Sequence, residues 1–175
     1  MNRSVLVAVL FLVLAGSYCA ATTACTNQLP KPVSEAIQKK WQGWQIVDVA
    51  DLRADDQTLW RKTHGTACPG VAVGHFEGSS TSYAVTLFRH KNGLEQVLLV
   101  IKPEAHGDSR VYVLSKPQNV AYLSVIHKLS PGTYDDGEGG KVRIRRDAIA
   151  YEAIEAGNIS YYFEGGKFRS LQTSE

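Results

Sequence analysis

The sequence has no marked excess of either charge and no hydrophobic run long enough to cross a membrane. Its 19 Lys and Arg residues nearly balance 17 Asp and Glu residues, which leaves a net charge of +2. Binding to nucleic acid without sequence preference needs many basic contacts to phosphates, so this balance argues against a nucleic-acid partner. A chain of 175 residues that is 44% hydrophobic and 21% charged is typical of one globular domain.

The common catalytic and metal-binding motifs are also absent. No histidine pair has the His-x-x-x-His or His-Glu-x-x-His spacing that turns two imidazoles toward one zinc ion, and there is no Gly-x-Ser-x-Gly nucleophile motif. The five histidines are scattered along the chain: His64, His75, His90, His106 and His127. The sequence therefore indicates no cofactor and favours a non-enzymatic role.

Residues 1–24 have the features of a secretory signal peptide. Arg3 supplies a positive charge, residues 5–15 form an apolar run of 11 residues, and small residues follow. That run is too short to span a bilayer about 30 Å thick. The residues before Cys19 fail the lipobox pattern and those before Cys25 fit it poorly, so a lipoprotein is not expected. We predict a periplasmic or secreted protein, with residues 1–24 removed and residues 25–175 forming a single domain without a membrane span.

Removal of the signal segment would leave two of the three cysteines, Cys25 and Cys68. In an oxidising compartment two such cysteines pair by default. The bridge would close a loop of 43 residues and stabilise the fold by up to about 4 kcal/mol through chain entropy. The alternative, a reactive thiol, needs an unpaired cysteine in electropositive surroundings. We therefore predict a Cys25–Cys68 disulfide.

The hydrophobic periodicity changes from helical to strand-like along the chain. Val33, Ile37 and Trp41 recur at helical spacing and predict a helix over 32–40, followed by a strand over 44–49 and a second, short helix over 55–62. Short β-rich runs then predict strands over 71–76, 83–89, 94–101, 110–114, 121–127, 148–155, 159–163 and 167–173. Asn92-Gly93 and Gly165-Gly166 favour tight hairpin turns.

These patterns predict an α+β fold. An N-terminal helix and a short second helix should pack on a mostly antiparallel, twisted β-sheet of about seven to nine strands, because no helix-length crossover separates the strand runs. The glycine-rich segments 131–132 and 135–140 are interpreted as a loop that is too short to link two domains.

Several short motifs resemble known proteins. Gly74-His75-Phe76-Glu77-Gly78, followed by Tyr83-Ala84, resembles the Gly-x-Phe-x-Gly frame of an FG-GAP unit. More broadly, the chain is similar to a group of uncharacterised secreted bacterial proteins in the segments Cys68-Pro69-Gly70, Pro131-Gly132-Thr133-Tyr134, Asp147-Ala148-Ile149, Tyr161-Tyr162 and Phe168-Arg169-Ser170. That group implies no established activity.

The resemblance to FG-GAP units does not extend to their calcium loop. Such units often bind calcium through several Asp residues between two strands, because the ion needs about 6–8 oxygen ligands. The corresponding loop here, residues 77–82, has a single carboxylate, Glu77. One such unit also cannot form a propeller of stacked blades. We expect the motif to form a simple β-hairpin.

An acidic segment and a basic segment lie side by side after residue 134. Asp135, Asp136 and Glu138 could offer oxygen ligands to a metal, but they lack EF-hand spacing and are interpreted as a solvated loop. Lys141, Arg143 and Arg145 alternate with apolar residues and form a basic row if the segment is a strand. Such a row either protects a sheet edge from aggregation or binds an anionic partner.

The C-terminal segment is rich in aromatic residues around the Gly165-Gly166 turn. Alternation places Tyr162 on the face opposite Tyr161, with Lys167 and Arg169 nearby. An exposed tyrosine bordered by basic residues has the composition of a binding hot spot, and plain packing is the alternative. Tyr162, Lys167 and Arg169 therefore join the basic row Lys141, Arg143 and Arg145 as candidate binding residues.

These observations favour an exported, non-enzymatic binding protein that engages another exported or envelope protein, as inhibitors and immunity-type factors do. One alternative is a small hydrolase of envelope polymer that uses residues such as Glu152, Glu155 or His127. Two carboxylates three positions apart fall on opposite faces of a regular strand, which argues against that pair as a glycosidase site. A second alternative is a structural envelope component. The sequence leaves the partner and the oligomeric state open.

Overall fold

The computed structural model describes residues 25–154 and 157–173. The predicted signal peptide, residues 1–24, lies outside them. Within this part of the chain there are two α-helices and eleven strands: α1 (Lys31–Lys40), β1 (Gln45–Ile46), α2 (Ala54–His64), β2 (Val71–Gly74), β3 (Ser82–His90), β4 (Leu94–Pro103), β5 (Ser109–Asn119), β6 (Val125–Leu129), β7 (Gly132–Asp135), β8 (Lys141–Ile144), β9 (Ala148–Ala153), β10 (Gly157–Glu164) and β11 (Lys167–Thr173).

The strands form three antiparallel sheets. In the first sheet the order is β1-β3-β4-β5, with β2 also paired to β3. In the second sheet the order is β11-β10-β9-β6, and β7 pairs with β8 as a separate two-stranded hairpin. The predicted α+β class is confirmed, although the strands are more numerous than expected and divide among three sheets.

The first sheet is the middle layer of the domain. Its central strands β3 and β4 read as nearly continuous hydrophobic runs because both of their faces are covered. Val97, Leu99 and Ile101 point toward α1 and pack with Val33 and Ile37 of that helix. The intervening residues, among them Leu98 and Val100, belong to a second cluster with Ile126, Ile149 and Tyr151 of the second sheet. The fold is therefore a helix, a sheet and a second sheet in three layers.

A buried glutamine joins the two sheets through polar contacts. Gln96 on β4 is fully buried, and its Nε2 donates to Thr86 Oγ1 at 2.8 Å and to the backbone oxygen of Ser124 at 2.6 Å. The backbone N–H of Ser124 donates to Gln96 Oε1 at 2.9 Å. A buried amide is stable only when its hydrogen bonds are made, so Gln96 fixes the position of the segment that enters β6.

The predicted disulfide between Cys25 and Cys68 is present, with the two Cα atoms 5.2 Å apart. Both cysteines are buried with Val71 at the start of β2. The bridge therefore holds the segment before α1 against the first sheet. Among the described residues no helix has the length and hydropathy required to cross a membrane.

Several predicted boundaries were wrong. The strand expected over 44–49 is only β1, because a 3-10 turn at Val49–Asp51 follows it, closed by Asp48 and Asp51. The strand expected over 121–127 begins at Val125. The segment interpreted as a loop after Pro131 contains β7, which pairs with β8. Four residues are too few to show a period, so only pairing with a partner strand defines β7.

Candidate functional site

The outward face of the second sheet contains a row of small and polar side chains. In the register of this sheet, His127 on β6 is opposite Ala150 on β9, and Ala150 is opposite Ser160 on β10. The next row contains Glu152 and Asn158 as direct neighbours. Because neighbouring strands present paired residues on the same face, the small Ala150 leaves a depression between His127 and Ser160.

Helix α2 lies beside His127 and borders a cleft of its own. The Trp60 ring is buried and donates its Nε1 hydrogen to the backbone oxygen of Ala67 at 2.8 Å. His64 stacks on Trp60 with ring centroids 4.0 Å apart, and the His64 and His127 centroids are 4.9 Å apart. A cleft of about 250 Å³ results, lined by Leu59, Trp60, Thr63, His64, His127, Glu152 and Ile154.

Strand β7 borders a second, neighbouring cleft. This cleft of about 230 Å³ lies between β7 and the sheet, lined by His127, Leu129, Thr133, Tyr134, Asp135, Asn158, Ser160 and Thr173. His127 lines both clefts. We call the two clefts together the His127 trough.

The imidazole of His127 is held in its neutral form. Burial, with a smaller contribution from the neighbouring His64, lowers the pKa of His127 from 6.5 to about 4. Burial also lowers the pKa of His64. In both cases the low-dielectric surroundings disfavour the charged ring. At neutral pH the trough therefore presents two uncharged imidazoles, which can donate or accept hydrogen bonds.

Two residues that line the trough each have a buried polar atom, closed off from solvent, without a hydrogen-bond partner among the described residues. These are Nδ1 of His127 and Oδ1 of Asn158. Only 9% of the surface of Asn158 is exposed. Leaving such atoms unsatisfied costs about 1–3 kcal/mol each. Perturbed titratable groups and unpaired polar atoms in a cleft are typical of functional sites.

The candidate basic and aromatic residues occupy two separate elements. Lys141 and Arg143 project from the edge strand β8, Arg145 follows it, and all three are exposed. Tyr162 and Arg169 face each other across β10 and β11. Charged residues on such edge strands disfavour pairing with another chain.

The basic residues at the C-terminal hairpin are also exposed, and one of them forms an ion pair. Arg169 Nε lies 3.3 Å from Glu164 Oε2, while Lys167 is directly opposite Glu164 in the strand register. Tyr162 is half-buried. Glu164 therefore offsets part of the positive charge that the sequence predicted for this hairpin.

The acidic segment forms the turn between β7 and β8. Asp136 Oδ1 accepts hydrogen bonds from the backbone N–H groups of Glu138 at 3.0 Å and Gly140 at 2.7 Å. Gly137 and Gly139 adopt positive φ, which closes the turn. Asp135 instead lines the trough. Within the described ranges no three His, Cys, Asp or Glu residues are placed to hold a metal ion together.

The region that resembles an FG-GAP unit is an antiparallel pair. Val71–Gly74 pairs with Ser82–His90, as expected for a hairpin. Its single carboxylate is used inside the fold: Glu77 Oε2 accepts the Tyr112 hydroxyl hydrogen at 2.9 Å and lies 3.7 Å from Lys102 Nζ. This loop is therefore tied to the first sheet by Glu77.

Sequence reasoning missed an exposed arginine–tyrosine pair beside α2. The Arg53 guanidinium lies 4.3 Å from the centre of the Tyr122 ring. Arg53 is held by Asp56 through hydrogen bonds of 2.6 and 2.9 Å. Tyr122 is 57% exposed. A cleft of about 160 Å³ beside the pair is lined by Asp51, Leu52, Arg53, Asp56, Phe88, His90, Leu94, Ala121, Tyr122 and Leu123. We call the pair and this cleft the Tyr122 surface.

A further cleft, of about 340 Å³, lies between α1 and β1. Ile37, Trp44 and Ile46 line it, together with Asp51. Burial is the main cause of a raised pKa at Asp51. The Arg89 guanidinium lies 4.5 Å from the centre of the Trp44 ring, which fixes that indole at the rim. This cleft is mainly apolar and has no cluster of reactive groups among the residues that the structure describes.

The comparisons with known proteins identify no relative. No protein-family model, curated protein or solved structure matches this chain. The functional argument therefore depends on the geometry of the two surfaces.

Proposed function

We propose that this protein is an exported, non-enzymatic binding protein that engages another exported protein through the Tyr122 surface. The observation that carries the proposal is the exposed Tyr122 ring, covered on one side by an arginine that Asp56 holds in place. Tyr and Arg dominate the energetic centres of protein interfaces. A side chain that is already ordered loses little entropy on binding.

The cleft beside Tyr122 indicates what the partner would contribute. Leu52, Phe88, Leu94 and Leu123 supply an apolar lining. The polar part of the lining includes Asp51, Asp56 and His90. We expect the partner to insert an apolar side chain into this cleft and to pack its neighbours against the Tyr122 ring, as anchor residues do at interfaces.

Export is part of the proposal, and the disulfide supports it. Cys25–Cys68 is the kind of bond that persists in an oxidising compartment. The predicted partner is thus another periplasmic, secreted or envelope protein.

The test compares partner capture by four forms of the purified protein. Tyr122→Ala should weaken capture from periplasm or culture medium by at least about tenfold, as expected for a hot-spot residue. Val73→Ala is the matched control, because Val73 is an exposed apolar residue outside the Tyr122 surface. Arg143→Glu tests the basic row. A photo-crosslinker at position 122 should label the same partner. Equal capture by wild type and Tyr122→Ala would contradict the proposal.

A hydrolase is the second candidate, because His127 and Glu152 line the same cleft. A carboxylate and an imidazole in one cleft can act as acid and base. The low pKa of His127, about 4, makes it a weak base, which is why this candidate comes second. Glu155, the other predicted carboxylate, lies outside the described residues. Turnover of envelope polymer that His127→Gln abolishes would favour the hydrolase.

The third candidate, a structural component without a ligand, needs a surface that lacks both clefts and an exposed aromatic–arginine pair. The described residues include clefts on both sides of α2 and the Arg53–Tyr122 pair. These features count against a purely structural role.

A further inference from the structure

Strand β5 is the long outer edge of the first sheet. It spans 11 residues, Ser109–Asn119, and pairs with β4 along one side. Within the described part of the chain no strand pairs with its other side. An edge strand of this kind presents a row of free backbone N–H and C=O groups, to which another chain can add a strand. The edge is therefore a candidate interaction surface.

The hydrogen-bond pattern shows which backbone groups of β5 point outward. In an antiparallel pair, hydrogen-bonded and non-hydrogen-bonded residue pairs alternate. The N–H of Glu104 donates to the backbone oxygen of Asp108 at 2.8 Å, and the same alternation makes Tyr112 a residue that bonds to β4. Val111 and Val113 occupy the intervening positions. Their backbone N–H and C=O groups therefore point away from β4.

The two halves of β5 differ in their protection against pairing with another chain. The second half contains Lys116, Pro117 and two irregularities of register, and each of these features hinders the addition of a strand. The first half, residues 109–113, pairs with β4 without interruption. Its one charged residue, Arg110, forms an ion pair of 2.6 Å with Glu104. The first half is therefore the open part of the edge.

The open part is self-complementary. Residues 111–113 read Val-Tyr-Val, so an antiparallel copy centred on Tyr112 places Val111 opposite Val113 of the second copy and Tyr112 opposite itself. Val113 is 47% exposed. Cross-strand pairs of β-branched residues and of aromatic residues stabilise a sheet. In this register the outward backbone groups of Val111 and Val113 meet each other as hydrogen-bonded pairs.

The same register also matches charge. Asp108 and Lys116 are each four positions from Tyr112, so the pairing brings Asp108 of one copy close to Lys116 of the other at both ends. Both side chains are exposed. Opposite charges across a strand pair attract, and like charges repel. A copy centred on Val113 would instead bring Arg110 close to Lys116. The charges therefore favour the register centred on Tyr112.

We propose that two copies of this chain pair through β5, edge to edge, as an antiparallel extension of the first sheet. Tyr112 lies at the two-fold axis, and each copy uses the same surface, as in other symmetric dimers. A strand pair by itself is smaller than the interface of most stable dimers, so we expect a dimer that dissociates on dilution. Residues 109–113 do not line the cleft of the Tyr122 surface, so this inference does not depend on the proposed function.

The test measures the oligomeric state of the purified protein by sedimentation velocity from low micromolar to submillimolar concentration. Wild type should change from monomer to dimer as the concentration rises. Val113→Pro removes an outward N–H at a position where an edge strand accepts proline. Because symmetry removes two hydrogen bonds at once, dimerisation should weaken by about tenfold or more. Val113→Thr is the matched control, since it keeps the N–H and the β-branched shape, and should dimerise as wild type does.

If Val113→Pro does not fold, Val113→Lys replaces it, because a charge on an edge strand blocks pairing while the side chain stays exposed.

A charge exchange tests the register. Lys116→Glu should weaken dimerisation because it brings two carboxylates together, and adding Asp108→Lys to that variant should restore it. Lys128→Glu is the matched control for the change in net charge, since Lys128 is exposed on β6. Its dimerisation should equal that of wild type.

Three results would overturn the proposal. The first is a wild type that remains monomeric over the whole concentration range. The second is equal dimerisation of Val113→Thr and of the folded proline or lysine variant, which would place the contact on another surface. The third is a charge-exchanged double variant that dimerises no better than Lys116→Glu.

Discussion

The buried imidazole of His127 should make the fold lose stability as the pH falls from about 6.5 to about 4. The pKa of His127 is about 4 in the folded protein and 6.5 when the ring is exposed. Between these values the unfolded chain binds a proton that the folded chain does not, so acid favours unfolding. The free energy of unfolding is unaffected by His127 above pH 6.5, and it decreases as the pH falls from 6.5 toward 4.

The size of the effect follows from the pKa difference. Each unit corresponds to about 1.4 kcal/mol, so the full shift of His127 corresponds to about 3 kcal/mol. Solvent reaches part of the ring, which lies in an open cleft, and this screening reduces the effect to about 1.5 kcal/mol. His64, whose pKa is also lowered by burial, adds to the acid sensitivity in the same direction.

The assay is urea unfolding followed by tryptophan fluorescence at about pH 7 and about pH 4.5, chosen to bracket most of the titration. Wild type should lose about 1 kcal/mol more free energy of unfolding between these pH values than His127→Gln loses, because the interval covers most but not all of the titration. His64 is present in both proteins, so the effect of its own burial is common to both. His90→Gln, a change at an exposed histidine outside the His127 trough, is the matched control for the removal of an imidazole.

Two results would refute this reasoning. One is the same loss of stability on acidification in wild type and in His127→Gln. The other is an NMR titration in which the His127 ring of the folded protein takes up its proton near pH 6.5, because that midpoint would mean that burial does not disfavour the charged ring.

Three further predictions concern the stability of the fold, each measured by denaturant unfolding. Replacing Cys25 and Cys68 with serine should lower the free energy of unfolding by about 2–4 kcal/mol. Reduction of wild type should lower its free energy of unfolding by the same amount, and reduction should not change the variant. Gln96→Leu should cost about 2–3 kcal/mol because it leaves buried backbone groups unsatisfied; a neutral effect would contradict that role. Gly70→Ala should destabilise the fold because its Cβ would clash with the backbone of Val47, whereas Gly78→Ala, where the Cβ meets open space, should be nearly neutral.

Local sequence patterns predicted the elements that hydrophobic spacing or turn residues define. The spacing of Val33 and Ile37 predicted a helix over 32–40, and α1 spans Lys31–Lys40 with both residues buried. The Gly165-Gly166 turn joins β10 to β11, and both glycines have positive φ. Periodicity and turn chemistry depend on neighbouring residues, so such elements can be predicted without the tertiary structure.

The candidate sites could not be predicted in the same way. His127 alternates with Val125 and Leu129, so a polar residue on an apolar strand face was the one available signal. What makes it a site is the neutral His64 from α2 and the acceptor of Asn158 from β10. The Arg53–Tyr122 pair joins residues 69 positions apart. No local pattern relates such distant positions.

Local spacing and residue counts are enough to predict the fold class, the first helix and the pairing of two cysteines. Which face of the second sheet is covered, and by which elements, depends on contacts between residues far apart in the chain. Helix α2 and strand β7 each leave a cleft beside this sheet, and His127 lines both clefts. The same packing that buries Ile126 and Ile149 on one face leaves His127 and Asn158 on the other, where partial burial changes their chemistry.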